Sequence, residues 1–166
     1  MEKQLHWVQE AFSRRVVIMD GDRVVGGMHR DLLTRDVDAH LNGVHIFFDV
    51  RGFLVHSVNI HDKKADNTII GRVDFEGFGG ATVQLETGEK YIWRRENFMM
   101  HEWSLVSGNS PSDAEREIVH YDRTRMFLAD EGTIELVTER PNAEMLILTG
   151  LFVRNYFLRR RKIAAS

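Results

Sequence analysis

The side chains that could do metal chemistry are eight histidines, four of which form two closely spaced pairs. His40 with His45, and His56 with His61, are each five residues apart. An odd separation places two side chains on opposite faces of a regular strand, so a bulge or a loop would be needed to bring either pair together. Neither H-E-x-x-H nor H-x-x-E-H is present, and neither is H-x-H. We therefore expect surface or half-buried histidines, no metal site and no cofactor.

The other residues of chemical interest have simpler structural roles. Asp20 with Asp22, and Asp36 with Asp38, could chelate a cation, but the first pair is typical of a hairpin turn and the second of an exposed strand face. Residues 77–80 (GFGG) lack the lysine and the helix of a phosphate-binding loop. The chain has no cysteine, no G-x-S-x-G motif and no serine with a recognisable partner. The sequence thus predicts a protein that is not an enzyme.

Aromatic side chains could line a ligand site, but their spacing along strands favours packing in a core. They are Phe47, Phe48, Phe53, Tyr91, Trp93, Phe98 and Trp103. Arg72, Arg94 and Arg95 could form a small anion-binding spot, or they could pair across strands with the abundant glutamates. The sequence leaves both interpretations of these arginines open.

The elements that must position these residues are mainly short strands. β-branched and aromatic runs separated by glycine or acidic turns are typical of consecutive antiparallel hairpins. The predicted strands lie at 15–19, 23–29, 33–39, 44–50, 53–60, 68–76, 81–86, 90–96, 100–106, 117–122, 125–129 and 133–138. Glycine supplies the positive φ of a tight turn, and it marks four predicted hairpin turns. These are Asp20-Gly21, Arg51-Gly52, Thr87-Gly88 and Glu131-Gly132. Residues 107–116 read as a long polar loop, and we expect a single domain over 1–166 with its strands at about 15–139.

Residues 143–162 (AEMLILTGLFVRNYFLRRRK) are the long apolar helix candidate of the chain. Their apolar side chains point in every direction on a helical wheel, which indicates a helix enclosed on all sides. We place this helix at about 142–160, with Asn142 as its N-cap. The side chains that we expect to fix it in a core are Leu146, Ile147, Gly150, Leu151, Phe152 and Phe157.

Two surroundings suit this helix, a bilayer and a β-barrel. A membrane span needs roughly 20 apolar residues, whereas residues 143–158 number 16 and include Arg154. A barrel of about twelve strands leaves a lumen that needs a plug, and a helix that is apolar all round can fill it. We therefore predict an all-β fold, a closed antiparallel barrel of about twelve strands that encloses a hydrophobic C-terminal helix. A short tail anchor at 143–158 is the alternative.

Charge is unevenly distributed along the chain. The net charge is −3, yet residues 142–166 carry five Lys or Arg against Glu144, so the remainder is strongly acidic. Sequence-independent binding to nucleic acid needs a basic face, and nucleic acid is therefore not an expected partner. The first 15 residues contain no apolar run of the kind found in signal peptides, which favours a cytoplasmic location.

The order of the elements resembles the tubby-like superfamily, which includes the phospholipid scramblases and the plant LURP-one-related proteins. The likeness is clearest at 94–108 (RRENFMMHEWSLVSG) and 143–161 (AEMLILTGLFVRNYFLRRR), and it extends over almost the whole chain, which is similar to small bacterial members of the superfamily. The resemblance implies a closed barrel around the helix and, by kinship, an association with lipid. The palmitoylated cysteine cluster and the calcium loop of the scramblases have no counterpart in this sequence.

We predict a non-enzymatic binding or interaction module at the cytoplasmic face of a membrane, whose partner is an anionic membrane surface or an unidentified protein. The predicted contacts with anionic lipid are the basic residues at the end of the helix, Arg159, Arg160, Arg161 and Lys162. Their alternative role is to solubilise this end and cap the helix. The rival functions are a tail-anchored membrane protein and a small-molecule carrier or enzyme that uses the barrel lumen.

Overall fold

The computed structural model describes residues 3–11, 13–50, 57–76, 79–108, 116–125 and 129–165, without the side chains of Arg125 and of residues 161–165. In these residues, twelve strands form one closed antiparallel barrel that is followed by a helix. In chain order the elements are β1 (Lys3–Glu10), β2 (Arg15–Asp20), β3 (Arg23–Arg30), β4 (Val37–Leu41), β5 (Val44–Asp49), β6 (Ser57–Asp62), β7 (Thr68–Phe75), β8 (Ala81–Leu85), β9 (Lys90–Arg95), β10 (Glu102–Ser107), β11 (Arg116–Arg125), β12 (Ala129–Leu136) and α1 (Ala143–Ala165).

Each strand pairs with its neighbours in the chain, and β1 pairs with β12 to close the ring. The closing ladder runs from Lys3 opposite Leu136 to Glu10 opposite Ala129. Along β4 the side chains alternate between a buried inner face and a wetter outer face, as expected of a strand that is solvated on one side. The predicted architecture, a closed twelve-stranded antiparallel barrel with a C-terminal helix, is confirmed.

Two strands differ from the predicted set. β1 is missing from that set, because only Leu5 and Trp7 of its residues are buried and most of the others are polar. β12 begins at Ala129 and not at residue 133, and the separate strand predicted at 125–129 falls mostly on residues 126–128, which lie outside the description. The strands of the barrel therefore start at Lys3 and not at about residue 15.

Gly132 lies within β12, and the turn predicted at Glu131-Gly132 is wrong. Gly132 is opposite Trp7 of β1 and Arg123 of β11 in the register. A Cβ atom on Gly132 would lie 2.1 Å from the carbonyl oxygen of Asp122 and 2.3 Å from the Trp7 ring. This glycine allows a bulky indole to approach the strand closely, which is a known use of glycine inside strands.

The start of β4 follows from side-chain hydrogen bonds that hold the loop before it. β4 begins at Val37 and not at residue 33, because Oδ1 of Asp31 accepts hydrogen bonds from the backbone N–H groups of Leu33 (2.8 Å) and Thr34 (2.9 Å) and shapes a turn.

The turns predicted at Gly21 and Gly88 are confirmed, with φ of 61° and 96°. The Arg51-Gly52 turn, Phe53, His56, residues 77–78 and most of the predicted polar loop lie outside the described residues.

The helix α1 lies in the barrel and is buried over most of its length. All six residues predicted to fix it in a core are buried, namely Leu146, Ile147, Gly150, Leu151, Phe152 and Phe157. It begins at Ala143, where the N–H of Leu146 donates to the carbonyl oxygen of Asn142 at 3.0 Å, and it continues to Ala165, five residues beyond the predicted end. No helix in the described part of the chain is long and apolar enough to cross a bilayer.

Aromatic side chains of the barrel hold the helix by hydrogen bonds to its backbone. The Nε1–H groups of Trp93 and Trp103 both donate to the carbonyl oxygen of Gly150, at 3.1 and 3.2 Å. The Tyr121 hydroxyl donates to the carbonyl oxygen of Ile147 at 2.8 Å. A Cβ atom on Gly150 would lie 2.1 Å from Oη of Tyr121, so the lumen requires glycine at this position.

Arg154 is completely buried where α1 faces β12 and β11. Its two terminal nitrogens donate to both carboxylate oxygens of Asp130, with Nη2 3.1 Å from Oδ1. Nε of Arg123 lies 3.0 Å from the same Oδ1, an ion pair that is not aligned as a hydrogen bond. The Arg154 guanidinium also lies 4.8 Å from the ring centre of Trp103. A buried charge is tolerated when it is paired, and here one carboxylate serves two guanidinium groups.

The alternation of strand direction determines which loops surround each end of the helix. Odd-numbered strands run toward the end of the barrel where α1 finishes, and even-numbered strands run away from it. The described parts of the β1–β2, β3–β4, β7–β8 and β9–β10 connections therefore surround the C-terminal end of α1. We call this the arginine end, because Arg14, Arg30, Arg35, Arg159 and Arg160 gather there. The opposite end, which carries the turns at 21–22, 42–43, 63–67 and 86–89, is called the turn end.

Candidate functional site

Three arginines from different parts of the chain line one pocket at the arginine end. Arg14 precedes β2, Arg30 ends β3 and Arg159 lies in the last turns of α1. Gln9 and Asn155 add polar groups to the lining. The pocket has a volume of about 20 Å³, room for about one water molecule, and it opens toward solvent.

The positive charges of this pocket oppose one another. Burial, followed by the charges of Arg30 and Arg35, lowers the pKa of Arg159 to about 10. The pKa of Arg30 is lowered as well, first by burial and then by the charges of Arg14 and Arg35. Burial and neighbouring like charges both disfavour the charged form of these arginines. An anion bound among the guanidiniums would offset this repulsion and would itself be stabilised.

Carboxylates do not neutralise the three lining arginines. Among the residues that the structure describes, Arg14, Arg30 and Arg159 form no ion pair with an aspartate or glutamate. Asp31 is close enough for the charge of Arg14 to act on it, but its Oδ1 accepts the two loop hydrogen bonds. Those bonds, from Thr34 and then Leu33, lower the pKa of Asp31. The pocket lining therefore carries three guanidiniums and no carboxylate, and Asp31 is a nearby negative charge that does not form an ion pair with them.

The residues predicted to contact lipid are partly placed by the structure. Arg159 is half-buried in the pocket, and the exposed Arg160 has its guanidinium carbon 5.9 Å from the ring centre of Tyr156. Arg161 and Lys162 continue the helix, but their side chains lie outside the description. Contact of these four residues with lipid stays a prediction.

The sequence does not reveal that Arg14 and Arg30 join Arg159. Arg14 and Arg30 are neighbours because β2 pairs with β3, and the N–H of Arg30 donates to the carbonyl oxygen of Arg14 at 3.0 Å. Arg159 meets them only because the helix passes through the whole lumen. The direction of the strands could have indicated this grouping. In a meander every second loop lies at the same end of the barrel, and α1 finishes at the end where the loops of Arg14 and Arg30 lie.

A second polar cluster lies on the outer face of β10 and β11, around His120. Nε2 of His120 lies 3.1 Å from Oε1 of Glu102 and 3.3 Å from Oδ2 of Asp122, and its Nδ1 lies 2.9 Å from Oε2 of Glu117. Burial favours the neutral imidazole, but the hydrogen bond and charge of Glu117, with the charges of Asp122 and Glu102, raise the pKa of His120 overall.

The ligand atoms of Glu102, His120 and Asp122 lie within 4.8 Å of one another. In the described part of the chain this is the one group of three side chains that could hold a metal ion. Exposed acidic groups are common without a metal, and Asp122 is half exposed, so the ion pairs of His120 explain the arrangement sufficiently. The predicted absence of a metal site stays a prediction.

Ser104 joins this cluster, which the sequence did not indicate. Its hydroxyl donates to Oε2 of Glu117 at 2.5 Å and lies 3.2 Å from Nδ1 of His120. A β-bulge opposite Leu105 and Val106 places Glu117 and His120 on the same outer face, although they are three residues apart. A nucleophilic serine has an exposed hydroxyl that a neighbouring base activates. Ser104 is fully buried and its hydroxyl donates to the Glu117 carboxylate, so Ser104, Glu117 and His120 do not form such a site.

The predicted histidine pairs have ordinary partners. His40 and His45 are opposite one another in the β4–β5 hairpin, which overcomes their odd separation, and Nε2 of His45 lies 2.7 Å from Oδ1 of Asp38. His61 lies 3.5 Å from Asp49, and its predicted partner His56 is outside the description.

The remaining predicted residues are mostly accounted for by packing and by local ion pairs. Phe48, Tyr91, Trp93 and Trp103 are buried in the core, Phe47 is half-buried and Phe98 is 72% exposed. Arg72 pairs with Asp74 at 3.1 Å and Arg94 with Glu96 at 3.4 Å, so both have an acidic partner two residues further along the chain.

Comparisons with protein-family models, with curated proteins and with solved structures give no match. Membership of the tubby-like superfamily therefore stays a prediction, although the closed barrel around a C-terminal helix is the fold that the resemblance implies.

Proposed function

We propose that this protein is a non-enzymatic binding module of the tubby-like type, whose arginine end contacts an anionic membrane surface. The observation that carries the proposal is the convergence of Arg14, Arg30 and Arg159 on one pocket without an acidic ion-pair partner among the described residues. Guanidinium groups bind phosphate and carboxylate oxygens in pairs of parallel hydrogen bonds, so phosphate headgroups are suitable ligands.

The geometry favours a surface ligand over one inside the lumen. The lumen beside the helix is filled by side chains: Phe48 and Phe152 stack with their ring centres 4.1 Å apart, and Phe75 and Tyr156 stack at 4.2 Å. The pocket of about 20 Å³ at the arginine end has room for about one water molecule but not for a small organic ligand. A carrier would have to displace these rings, whereas a headgroup can meet the arginines from outside.

The strength of such a contact is modest. Each basic residue near an anionic leaflet contributes about 1 kcal/mol, and the contribution falls with salt. Four or five arginines would therefore give reversible attachment, which is consistent with a peripheral protein. The acidic remainder of the chain would keep other faces of the protein away from the same surface.

The test is cosedimentation with large vesicles of phosphatidylcholine alone and of phosphatidylcholine with phosphatidylglycerol, at low and high salt. The charge-reversed variant is Arg30→Glu with Arg159→Glu, which removes two cations from the pocket. Its matched control is Lys64→Glu with Lys90→Glu, which changes the net charge equally but on exposed residues of the turn end. Thermal unfolding of both variants shows whether they are folded.

We expect the wild-type protein to bind only the anionic vesicles and to dissociate at high salt. Loss of two cationic contacts at about 1 kcal/mol each predicts a partition coefficient at least about 30-fold lower for the Arg30/Arg159 variant, because the introduced carboxylates also repel anionic lipid, and a much smaller change for the lysine control. Equal losses in both variants would show that net charge, and not the arginine pocket, determines binding. Failure of the wild-type protein to bind anionic vesicles at low salt would refute the proposal.

A further inference from the structure

Four large apolar side chains are exposed at the arginine end, on two loops. In the β3–β4 loop, Leu32 is 69% and Leu33 is 89% exposed. In the β9–β10 loop, Phe98 is 72% and Met99 is 51% exposed. Neighbouring exposed apolar side chains mark an interaction surface more often than isolated ones do, and each of these loops carries two of them. We call these pairs the leucine tip and the phenylalanine tip.

Hydrogen bonds fold both tip loops into turns. In the leucine loop, the N–H of Asp31 donates to the carbonyl oxygen of Asp36 at 2.8 Å, and the Asp31 side chain accepts from the tip backbone. In the phenylalanine loop, Oδ1 of Asn97 accepts from the N–H of His101 at 2.9 Å, while Met100 beside the tip is buried and anchors the loop. Ordered loops of this kind present apolar side chains with little further loss of chain entropy on binding.

The two tips lie on opposite sides of the helix end. In the closed ring of twelve strands, the β3–β4 and β9–β10 connections are six strands apart, which is half of the circumference. The C-terminal end of α1, with Arg159 and Arg160, lies between them. A flat surface that touches both tips therefore also faces the arginine pocket.

We propose that the arginine end docks on a lipid bilayer by inserting the leucine tip and the phenylalanine tip among the headgroups. The inference rests on the proposed function and adds a hydrophobic component to it. Charge complementarity identifies the partner as an anionic bilayer, because the pocket that lies between the tips is lined by Arg14, Arg30 and Arg159 and by no carboxylate. A fluid bilayer also accepts two separated points of insertion, whereas a protein partner needs a contiguous matching surface.

The chain contains no cysteine, so single labels can be placed without removing native residues. Leu33→Cys and Phe98→Cys, each carrying a polarity-sensitive fluorophore, report on the tips, and Val24→Cys on the exposed part of β3 near the turn end is the matched control. Fluorescence is measured with the anionic vesicles described above, with and without lipids that carry a quencher at known depths in the acyl chains.

We expect the labels at 33 and 98, but not at 24, to shift to the blue and to be quenched by shallow quenchers on the bound vesicles. In unlabelled protein, Leu32→Ser with Leu33→Ser should lower the partition coefficient at least tenfold, since burial of one leucine side chain alone corresponds to such a factor. As salt is raised over the range in which the wild-type protein still binds, this factor should stay constant while the effect of the arginine variant becomes smaller, because salt screens charges and not apolar contacts.

The outcomes separate this inference from the proposed function. Salt-sensitive binding to anionic vesicles with labels that stay in water would refute tip insertion and leave the proposed function intact. An absence of binding to any vesicle would refute both. A blue shift that depends on protein concentration without lipid, together with a dimer in sedimentation, would assign the tips to a contact with a second copy and overturn the bilayer as their partner.

Discussion

Replacement of Asp130 by asparagine tests how the helix is held in the barrel. The carboxylate is the shared ion-pair partner of Arg154, whose side chain is 0% exposed, and of Arg123, whose side chain is 8% exposed. Removal of one partner from a buried ion pair typically costs 3 to 5 kcal/mol, roughly, because the remaining charge is left uncompensated. Asp130 itself is 20% exposed, so water can reach the site, and we expect a loss of about 3 kcal/mol in the free energy of unfolding.

Arg154→Met should cost much less, although it removes the more deeply buried charge. The Asp130 carboxylate would still lie next to Arg123, and methionine would fill the apolar space beside the Trp103 ring. We expect Arg154→Met to lower the free energy of unfolding by about 1 kcal/mol. The test is therefore whether Asp130→Asn lowers it by clearly more than Arg154→Met does. Asp74→Asn is the matched control, because that aspartate pairs with Arg72 on the exposed surface and should contribute less than about 1 kcal/mol.

Urea unfolding followed by circular dichroism at pH 7 measures all three variants. In a thermal melt of a protein of this size, a loss of about 3 kcal/mol in the free energy of unfolding corresponds to a decrease in Tm of roughly 6 to 12 °C. If Asp130→Asn were no more destabilising than Arg154→Met, the carboxylate would not be the shared counter-charge of two buried guanidiniums. The placement of α1 against β11 and β12 would then be wrong.

Two further predictions concern the helix and the outer cluster. Gly150→Ala would stabilise a free helix by about 1 kcal/mol, but here we expect destabilisation by about 2 kcal/mol because the new methyl group collides with Tyr121; a thermal melt that showed stabilisation would place the helix outside the barrel. His120→Gln should reduce the free energy of unfolding most between about pH 4.5 and 6.5. The pKa of His120 is raised, so the protonated imidazole stabilises the fold fully below pH 6.5. The pKa of Glu117 is lowered, so its carboxylate stabilises the fold fully above pH 4.5. This reduction should become smaller as pH rises through the pKa of His120 and as pH falls through that of Glu117, and a flat profile of urea midpoints would contradict the ion-pair assignment.

The architecture can be predicted from the sequence because it depends on patterns that repeat along the chain. Alternating apolar residues and glycine turns predict consecutive hairpins, and a helix that is apolar all round requires an enclosing barrel. The apolar helix residues between Leu146 and Phe157 are buried as their pattern indicates. These patterns do not predict β1, because it buries only two side chains and is stabilised by its ladders to β12 and β2.

The parts that could not be predicted depend on contacts between distant residues. A glycine in a turn and a glycine that makes room for a ring look alike in the sequence, and Gly132 is of the second kind because Trp7 lies against it. The grouping of Arg14 and Arg30 with Arg159 requires both the strand register and the direction of the helix in the lumen.

Hydrogen–deuterium exchange on anionic vesicles tests most directly whether the arginine end faces the membrane. We expect added protection of backbone amides in 13–15, 31–36 and 96–101 when the protein binds vesicles that contain phosphatidylglycerol. The turns at 42–43, 63–67 and 86–89, at the other end of the barrel, should exchange at the same rate with and without vesicles. Protection confined to the turn end, or spread equally over both ends, would contradict the orientation on which the proposed function depends.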